Sequence, residues 1–257
     1  MRILCIGDVV GAAGCAFVRS HLPSFKKLHQ VDLTVCNGEN AADGNGITPR
    51  AAEHLYASGV DVITLGNHSF RRPEIFPYLD EQPYIVRPAN FPEGTTPGRG
   101  VCTVDMGYTS VAVINLMGQE GISDHLDNPF LLIERLLDTI ESRVILVDFH
   151  AEATSEKRAM GLCLDGRVSA VFGTHTHVMT ADAEVLPGGT GYITDLGMTG
   201  PIDSVLGVKK DIIIRRFKTK LPGRFEWSDG SCKLDCTLFD IDEKTGKCAK
   251  ATSFELR

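Results

Sequence analysis

The chain alternates between short apolar runs and longer segments with amphipathic spacing. Five runs rich in β-branched residues, each bounded by Gly or Asn, predict buried strands. These runs span residues 3–6, 33–36, 62–65, 144–147 and 170–172. Two further pairs of runs, at residues 101–104 with 111–116 and at residues 237–241 with 249–254, predict adjacent strands and a hairpin.

Helices are predicted between several of these strands. Residues 49–58 have Thr48 as an N-cap and Pro49 at the first helical position. Residues 128–141 give the clearest amphipathic pattern, and residues 155–164 predict another helix. Residues 17–28 also have helical spacing, but Pro23 predicts a kink or a restart there. This alternation predicts a single layered α/β domain over residues 1–257, with two sheets flanked by helices.

A cluster of polar residues follows or ends each of the five main strands. The clusters are Gly7-Asp8, Asn37-Gly38-Glu39-Asn40, Gly66-Asn67-His68, Asp148-Phe149-His150 and Gly173-Thr174-His175-Thr176-His177. In sheets of this kind, ligands bind outside the carboxyl ends of the strands. We therefore expect Asp, Glu, Asn and His side chains from distant parts of the chain to meet at one rim.

Each cluster has an ordinary structural interpretation when it is considered alone. Asp8 is typical of a turn, His68 of a turn histidine, and His150 of a core histidine bonded to a backbone carbonyl. His175 and His177 are more informative, because residues i and i+2 of an extended segment point to the same side. Together, the clusters carry the ligand types of a divalent metal and predict a metal centre.

Composition narrows the class of protein. The chain has 257 residues and a net charge of -7, which argues against general DNA or RNA binding. The sequence has neither a signal-peptide pattern nor an apolar stretch of membrane-spanning length, so we expect a cytoplasmic protein with no membrane association. The eight cysteines are scattered without a CxxC pair, which favours reduced thiols.

The order GD…GEN…GNH…H…GTHTH resembles the calcineurin-like metallophosphoesterases. Longer strings resemble the bacterial YmdB-type phosphodiesterases within that superfamily, and the likeness runs from residue 1 to about residue 254. These strings are Gly7-Asp8-Val9-Val10-Gly11, Asn37-Gly38-Glu39-Asn40-Ala41-Ala42, residues 148–157 (DFHAEATSEK) and Gly173-Thr174-His175-Thr176-His177. The resemblance implies the metallophosphoesterase layered fold, in which two mixed β-sheets are flanked by helices.

The resemblance also implies a role for each residue of the motifs. It assigns three ligands to one ion, three to a second ion, one bridging carboxylate and one general acid that binds no metal. The ligands of the first ion would be Asp8, Asn40 and His177, and those of the second ion would be Asn67, His150 and His175. Glu39 would be the bridging carboxylate, and His68 would be the general acid. Position 10 departs from the general superfamily, which has a histidine ligand there, and Asn40 replaces that ligand in the YmdB branch.

The implied activity is hydrolysis of small nucleotide phosphodiesters, in particular 2′,3′-cyclic nucleotides, by attack of a metal-bridging hydroxide. The resemblance implies two metal ions, iron with manganese as the substitute. Only Asp8 and Glu39 bring charge to the ligand set, so two divalent ions leave the centre positive and able to hold phosphate. The alternatives are a phosphomonoesterase or protein phosphatase with the same centre, and a metal-stabilised regulatory binding protein. A homo-oligomer is possible.

For two further pairs of residues, the sequence supports two interpretations. Asp148 and Asp195 either orient ligand histidines or are turn residues at strand ends. Arg71 and Arg72 either contact the phosphate or lie in a solvated loop. Arg71 stands at the position where the sequences that this chain resembles, those of the YmdB branch, usually have an acidic residue.

Overall fold

The computed structural model describes residues 1–43 and 45–257, and in these residues the chain forms fourteen strands and six α-helices. The strands are β1 (Arg2–Ile6), β2 (Asp8–Val9), β3 (Leu33–Asn37), β4 (Val62–Thr64), β5 (Ile85–Val86), β6 (Val101–Asp105), β7 (Ser110–Met117), β8 (Val144–His150), β9 (Ala170–Thr174), β10 (Glu184–Val185), β11 (Gly191–Ile193), β12 (Met198–Pro201), β13 (Cys232–Ile241) and β14 (Cys248–Leu256). The helices are α1 (Gly11–His29), α2 (Pro49–Ala57), α3 (Phe76–Glu81), α4 (Pro129–Leu137), α5 (Thr154–Cys163) and α6 (Lys210–Thr219), and a 3-10 helix spans Pro73–Ile75.

The strands form two mixed sheets. The first has the order β2-β12-β13-β1-β3-β4-β5, with β14 paired to β13. The second has the order β10-β11-β9-β8-β7-β6. Neighbours β1, β3, β4 and β5 are parallel, as are β7, β8, β9 and β11, whereas β13, β6 and β10 pair antiparallel with their neighbours. The predicted fold class is confirmed.

Side-chain alternation in β1 explains why the two sheets stack with helices outside them. Leu4 and Ile6 point to one face and pack in a core that includes α1 and α2. Ile3 and Cys5 point to the other face and pack in a core shared with β7, β8 and β9 of the second sheet. A third core lies between the second sheet and helices α4 and α5. The layers therefore run helix, sheet, sheet, helix.

Most of the predicted elements are present with small changes at their ends. Thr48 caps α2 by accepting a hydrogen bond from the Ala51 N–H at 3.2 Å, and Asn128 caps α4 through the Phe130 N–H at 2.9 Å. Helix α4 ends at Leu137, before the predicted residue 141. The restart expected at Pro23 is wrong, because α1 continues through it. Pro23 lies on the exposed face, where water can bond the carbonyl it leaves unpaired.

The eight cysteines are free, and seven of them are buried, in agreement with reduced thiols. Burial raises the pKa of Cys15 and of Cys102 to about 12, so both remain protonated thiols. Among the described residues, none of the helices has the length and apolar character needed to cross a membrane.

Candidate metal centre

The five polar clusters meet where the two sheets face each other. Asp8 lies in β2 and His150 ends β8, while the remaining candidate side chains occupy the loops after β3, β4 and β9. The loop after β4 in the first sheet packs closely against β8 in the second sheet. A Cβ at Gly66 would overlap the His150 ring. Glycine at position 66 therefore allows the loop after β4 to lie directly against β8.

Three candidate ligands form one group of contacts. His177 Nε2 lies 3.5 Å from Asp8 Oδ1 and 3.4 Å from Asn40 Nδ2. Burial opposes ionisation of Asp8, but its contact with His177 outweighs that effect and lowers the pKa of the carboxyl. These are the three residues that the sequence resemblance assigns to one ion.

The other three candidate ligands form a second group around His150. Its Nε2 lies 2.9 Å from Asn67 Oδ1 and 3.1 Å from His175 Nδ1. The Thr174 hydroxyl donates to Asp148 at 2.7 Å, so it accepts from His150 Nδ1–H at 2.9 Å. In neutral His150, Nε2 therefore carries a lone pair that points at the Asn67 oxygen, and a cation between them would remove this repulsion.

Glu39 lies between the two groups. Its Oε1 is 3.3 Å from His150 Nε2 on one side and accepts from Asn40 Nδ2 at 3.3 Å on the other. Glu39 is fully buried, and burial opposes its ionisation, yet the neighbouring histidines hold its pKa well below the usual range. Burial likewise lowers the pKa of His150, but the Glu39 carboxylate outweighs it and raises that pKa to about 9. A proton on His150 thus balances the carboxylate in the metal-free chain.

The residues present fit a bound cation. Buried polar groups normally have hydrogen-bond partners. Within the described part of the chain, Asp8 Oδ1 and His177 Nδ1 are buried without one. Ligand atoms of Glu39, His150 and His175 also lie within 4.8 Å of one another. Carboxylate oxygen and imidazole nitrogen in this number suit a divalent transition metal.

One candidate ligand is turned away from the arrangement that metal binding requires. Asn40 directs Oδ1 at His68 Nδ1, 2.9 Å away, and directs its amide nitrogen at Glu39 and His177. An amide binds a cation through oxygen, so Asn40 must turn its amide over to serve as a ligand. The oxygen would then lie on the side of Glu39 and His177.

His68 lies beside the two groups. Its Nδ1 is 3.1 Å from Glu39 Oε1, and its backbone N–H donates to Glu39 Oε2 at 2.8 Å. The side chain is 24% exposed, in contrast to the buried Glu39, so solvent reaches it. These contacts place the ring next to the Glu39 carboxylate while leaving it accessible from outside.

Comparison with known proteins identifies the family. The model of the YmdB-like protein family matches residues 4–254. The chain belongs to this family. A 2′,3′-cyclic-nucleotide 2′-phosphodiesterase from Bacillus subtilis (strain 168) is 50% identical over 252 residues, which are 97% of this chain and 95% of the relative.

Two solved structures share the fold over nearly their whole length. A hypothetical protein from Thermus thermophilus superposes with a TM-score of 0.94 at 41% identity, covering 100% of this chain and 99% of that one. A novel phosphatase from Mycoplasma pneumoniae gives a TM-score of 0.94 at 33% identity, covering 100% and 93%. The predicted family, the fold and the assignment to the phosphodiesterase class of hydrolases are confirmed by these similarities.

A carboxylate that the sequence prediction missed contacts a candidate ligand in this YmdB-like chain. Glu152 Oε2 lies 3.1 Å from His175 Nε2, while Nδ1 of the same ring faces His150. A carboxylate on the far nitrogen fixes the tautomer and orientation of a ligand histidine. The signal available in the sequence was an acidic residue two positions after His150.

The structure distinguishes the two interpretations of Asp148 and Asp195, as residues that orient ligand histidines or as turn residues at strand ends. Asp148 acts on His150 through the Thr174 hydroxyl, so it orients a candidate ligand indirectly. Asp195 instead accepts from the Thr176 N–H at 3.1 Å and from Lys157 Nζ at 2.6 Å. It therefore orients the backbone between two histidines and contacts neither ring.

Arg71 and Arg72 differ from each other. Arg71 is exposed, as a solvated loop predicts. Arg72 is half-buried, and its guanidinium donates to the carbonyls of Asp43 and Asn45, at 3.0 Å for the latter. These carbonyls flank residue 44, which lies outside the described residues. Arg72 also lines a cavity of about 560 Å³, together with Arg50 and with Ala41, the residue after Asn40.

Proposed function

We propose that this chain is a metal-dependent phosphodiesterase that hydrolyses 2′,3′-cyclic nucleotides. One observation carries the proposal: the side chains of five strand ends form two sets of mutual contacts, and Glu39 touches a member of each. The activity named for the Bacillus subtilis relative supports the choice of substrate.

The proposed centre holds two ions. Three residues would bind each ion and Glu39 would bind both, as the two sets of contacts favour. The sets are Asp8, Asn40 and His177, and Asn67, His150 and His175. When bound, the ions would neutralise charge on the phosphoryl oxygens and supply a hydroxide nucleophile. The mixed nitrogen and oxygen set suits Fe, Mn, Zn or Co, and we propose iron with manganese as the substitute.

The proposed role of His68 is general acid catalysis. An alkoxide on the ribose is a poor leaving group, so a proton delivered to that oxygen lowers the barrier. His68 is next to the proposed bridging carboxylate and partly exposed, which allows contact with both the centre and a substrate. Its hydrogen bond from the backbone to Glu39 keeps the residue beside the carboxylate around which the ions and the phosphate would bind.

A phosphomonoesterase is the second candidate, because one of the similar structures is of a phosphatase. The same centre can act on a monoester, whose dianion carries more negative charge. The two candidates differ in the number of esterified oxygens that they accept, and therefore in relative activity on diester and monoester substrates.

The deciding experiment combines metal analysis with a substrate panel. Protein purified without oxygen and loaded with Fe or Mn should contain two ions per chain. It should convert 2′,3′-cyclic AMP to 3′-AMP and should hydrolyse bis-p-nitrophenyl phosphate faster than p-nitrophenyl phosphate. A preference for the monoester would favour the phosphatase, and no turnover in fully loaded protein would favour a regulatory binding protein.

A further inference from the structure

A buried ion pair lies behind the turn that carries His175 and His177. Lys157 of α5 and Asp195, which follows β11, are joined by a 2.6 Å contact between Nζ and Oδ2. Both side chains are 1% exposed, so the pair is sequestered from solvent. Position 173 has no room for a side chain, because a Cβ there would overlap the Thr194 carbonyl and would lie 2.8 Å from Lys157 Cδ.

Each member of the pair also bonds the backbone of the turn. Lys157 Nζ donates to the carbonyl of Thr174 at 2.9 Å, directly before His175. Asp195 Oδ2 accepts from the N–H of Thr176 at 3.1 Å, directly after His175. The two charges therefore fix the peptide groups on both sides of His175, within the turn that leads to His177.

The turn needs such restraint because its backbone is strained. His175 has a φ of 104° and His177 a φ of 62°, in the region that favours glycine. Residues in that region persist only where the surrounding structure determines their conformation. Released from its outside contacts, the turn would relax and the two rings would leave the positions that face His150 and Asp8.

We propose that Lys157 and Asp195 are positioning residues that hold the turn in the conformation presenting His175 and His177 to the metals. The inference rests on the proposed metal centre and deepens it, since the two histidines would serve different ions. A buried ion pair is weak evidence for a gain in stability. The hydrogen bonds from Lys157 and Asp195 to the turn instead indicate that this pair orients the two histidines.

The test compares two variants with a matched control. Lys157→Met removes the cation, and Asp195→Asn keeps the shape of the side chain while removing its charge. Lys26→Met is the control, because Lys26 Nζ likewise donates to a carbonyl, that of Gly59 at 2.7 Å, and to Asp61 at 3.0 Å. Asp61 accepts from the Thr34 N–H near the start of β3, away from the candidate ligands.

Mn²⁺ binding is measured by calorimetry and by the electron paramagnetic resonance spectrum, and folding by denaturant titration of metal-free protein. We expect Lys157→Met and Asp195→Asn to weaken Mn²⁺ affinity by about 10–100-fold and to alter the spectrum. Lys26→Met should lower stability without changing either metal readout. If Lys157→Met does not fold, the more conservative Asp195→Asn decides.

Wild-type Mn²⁺ affinity and spectrum in folded Asp195→Asn would overturn the inference, as would an equal loss of affinity in Lys26→Met. Neither readout requires turnover. Wild-type protein that binds Mn²⁺ but hydrolyses no phosphodiester would therefore refute the proposed function alone. Wild-type protein that binds no Mn²⁺, Fe or Zn would refute the centre and the inference with it.

Discussion

His68 and Glu39 are in contact, but their proposed roles predict different effects of mutation. His68→Ala should retain two ions and lose about 10²–10⁴ in kcat on 2′,3′-cyclic AMP, because it removes the proton donor to the ribose oxygen. The loss should be smaller on bis-p-nitrophenyl phosphate, since p-nitrophenolate leaves without a proton. Steady-state kinetics on both substrates and metal analysis check this.

The control for this prediction is His125→Ala, a histidine in an exposed loop that should leave both rates unchanged. An equal rate loss on the two substrates would contradict the acid role. So would loss of an ion, because His68 would then belong to the ligand set.

Of the two carboxylates in the proposed ligand set, Asp8 and Glu39, replacement of Glu39 by Ala should reduce metal binding more. Glu39 Oε1 contacts Asn40 on one side and His150 on the other, so a ligand at this position would serve both ions. We expect fewer than two ions per chain and loss of nearly all turnover, measured by elemental analysis and by hydrolysis of 2′,3′-cyclic AMP. Glu74→Ala, at an exposed position of the 3-10 helix, is the control. Two ions retained in Glu39→Ala would refute the bridging assignment.

At the scale of elements, the contact between the loop after β4 and strand β8 makes the centre sensitive to Gly66. In Gly66→Ala, the new Cβ would overlap the His150 ring, so the loop or the ring must shift. A misplacement of about 1 Å can cost about 10²-fold in rate, and we expect a loss of that order in kcat with weaker metal binding.

Gly223→Ala is the matched control for this substitution. A Cβ at Gly223 meets no atom within 4 Å, so both kcat and metal content should stay at wild-type values. Wild-type activity in Gly66→Ala would show that the two loops tolerate separation, and the close approach would then have no functional role.

The whole molecule should unfold as one unit, which would support the single domain predicted over residues 1–257. Strand β1 near the start of the chain pairs with β13 near its end, and the core between the sheets combines residues from both halves. Trp227 is the only tryptophan, so its fluorescence reports one local environment. We expect its urea transition to coincide with that of far-UV circular dichroism, and added Mn²⁺ to move both midpoints upward.

Separate transitions by the two probes would instead show independent units. Homo-oligomer formation and cytoplasmic location also stay predictions, which sedimentation and cell fractionation can check.

Local sequence determined nine of the fourteen strands, the caps of two helices and the residue types at the ends of the five main strands. Apolar runs bury themselves wherever they meet a partner surface, and Thr48 or Asn128 bonds backbone groups within its own turn. The family motifs likewise singled out seven candidate ligands by their order along the chain.

Only the tertiary structure decided how those side chains meet. The amide orientation of Asn40, the contact of Glu152 with His175 and the bonds from Lys157 to the turn join residues that lie apart in the sequence. Helix α1 passes through Pro23 because that residue lies on the exposed face, away from the core packed by Leu22 and Phe25. Periodicity cannot reveal such features, because each depends on which surfaces the packed layers bring into contact.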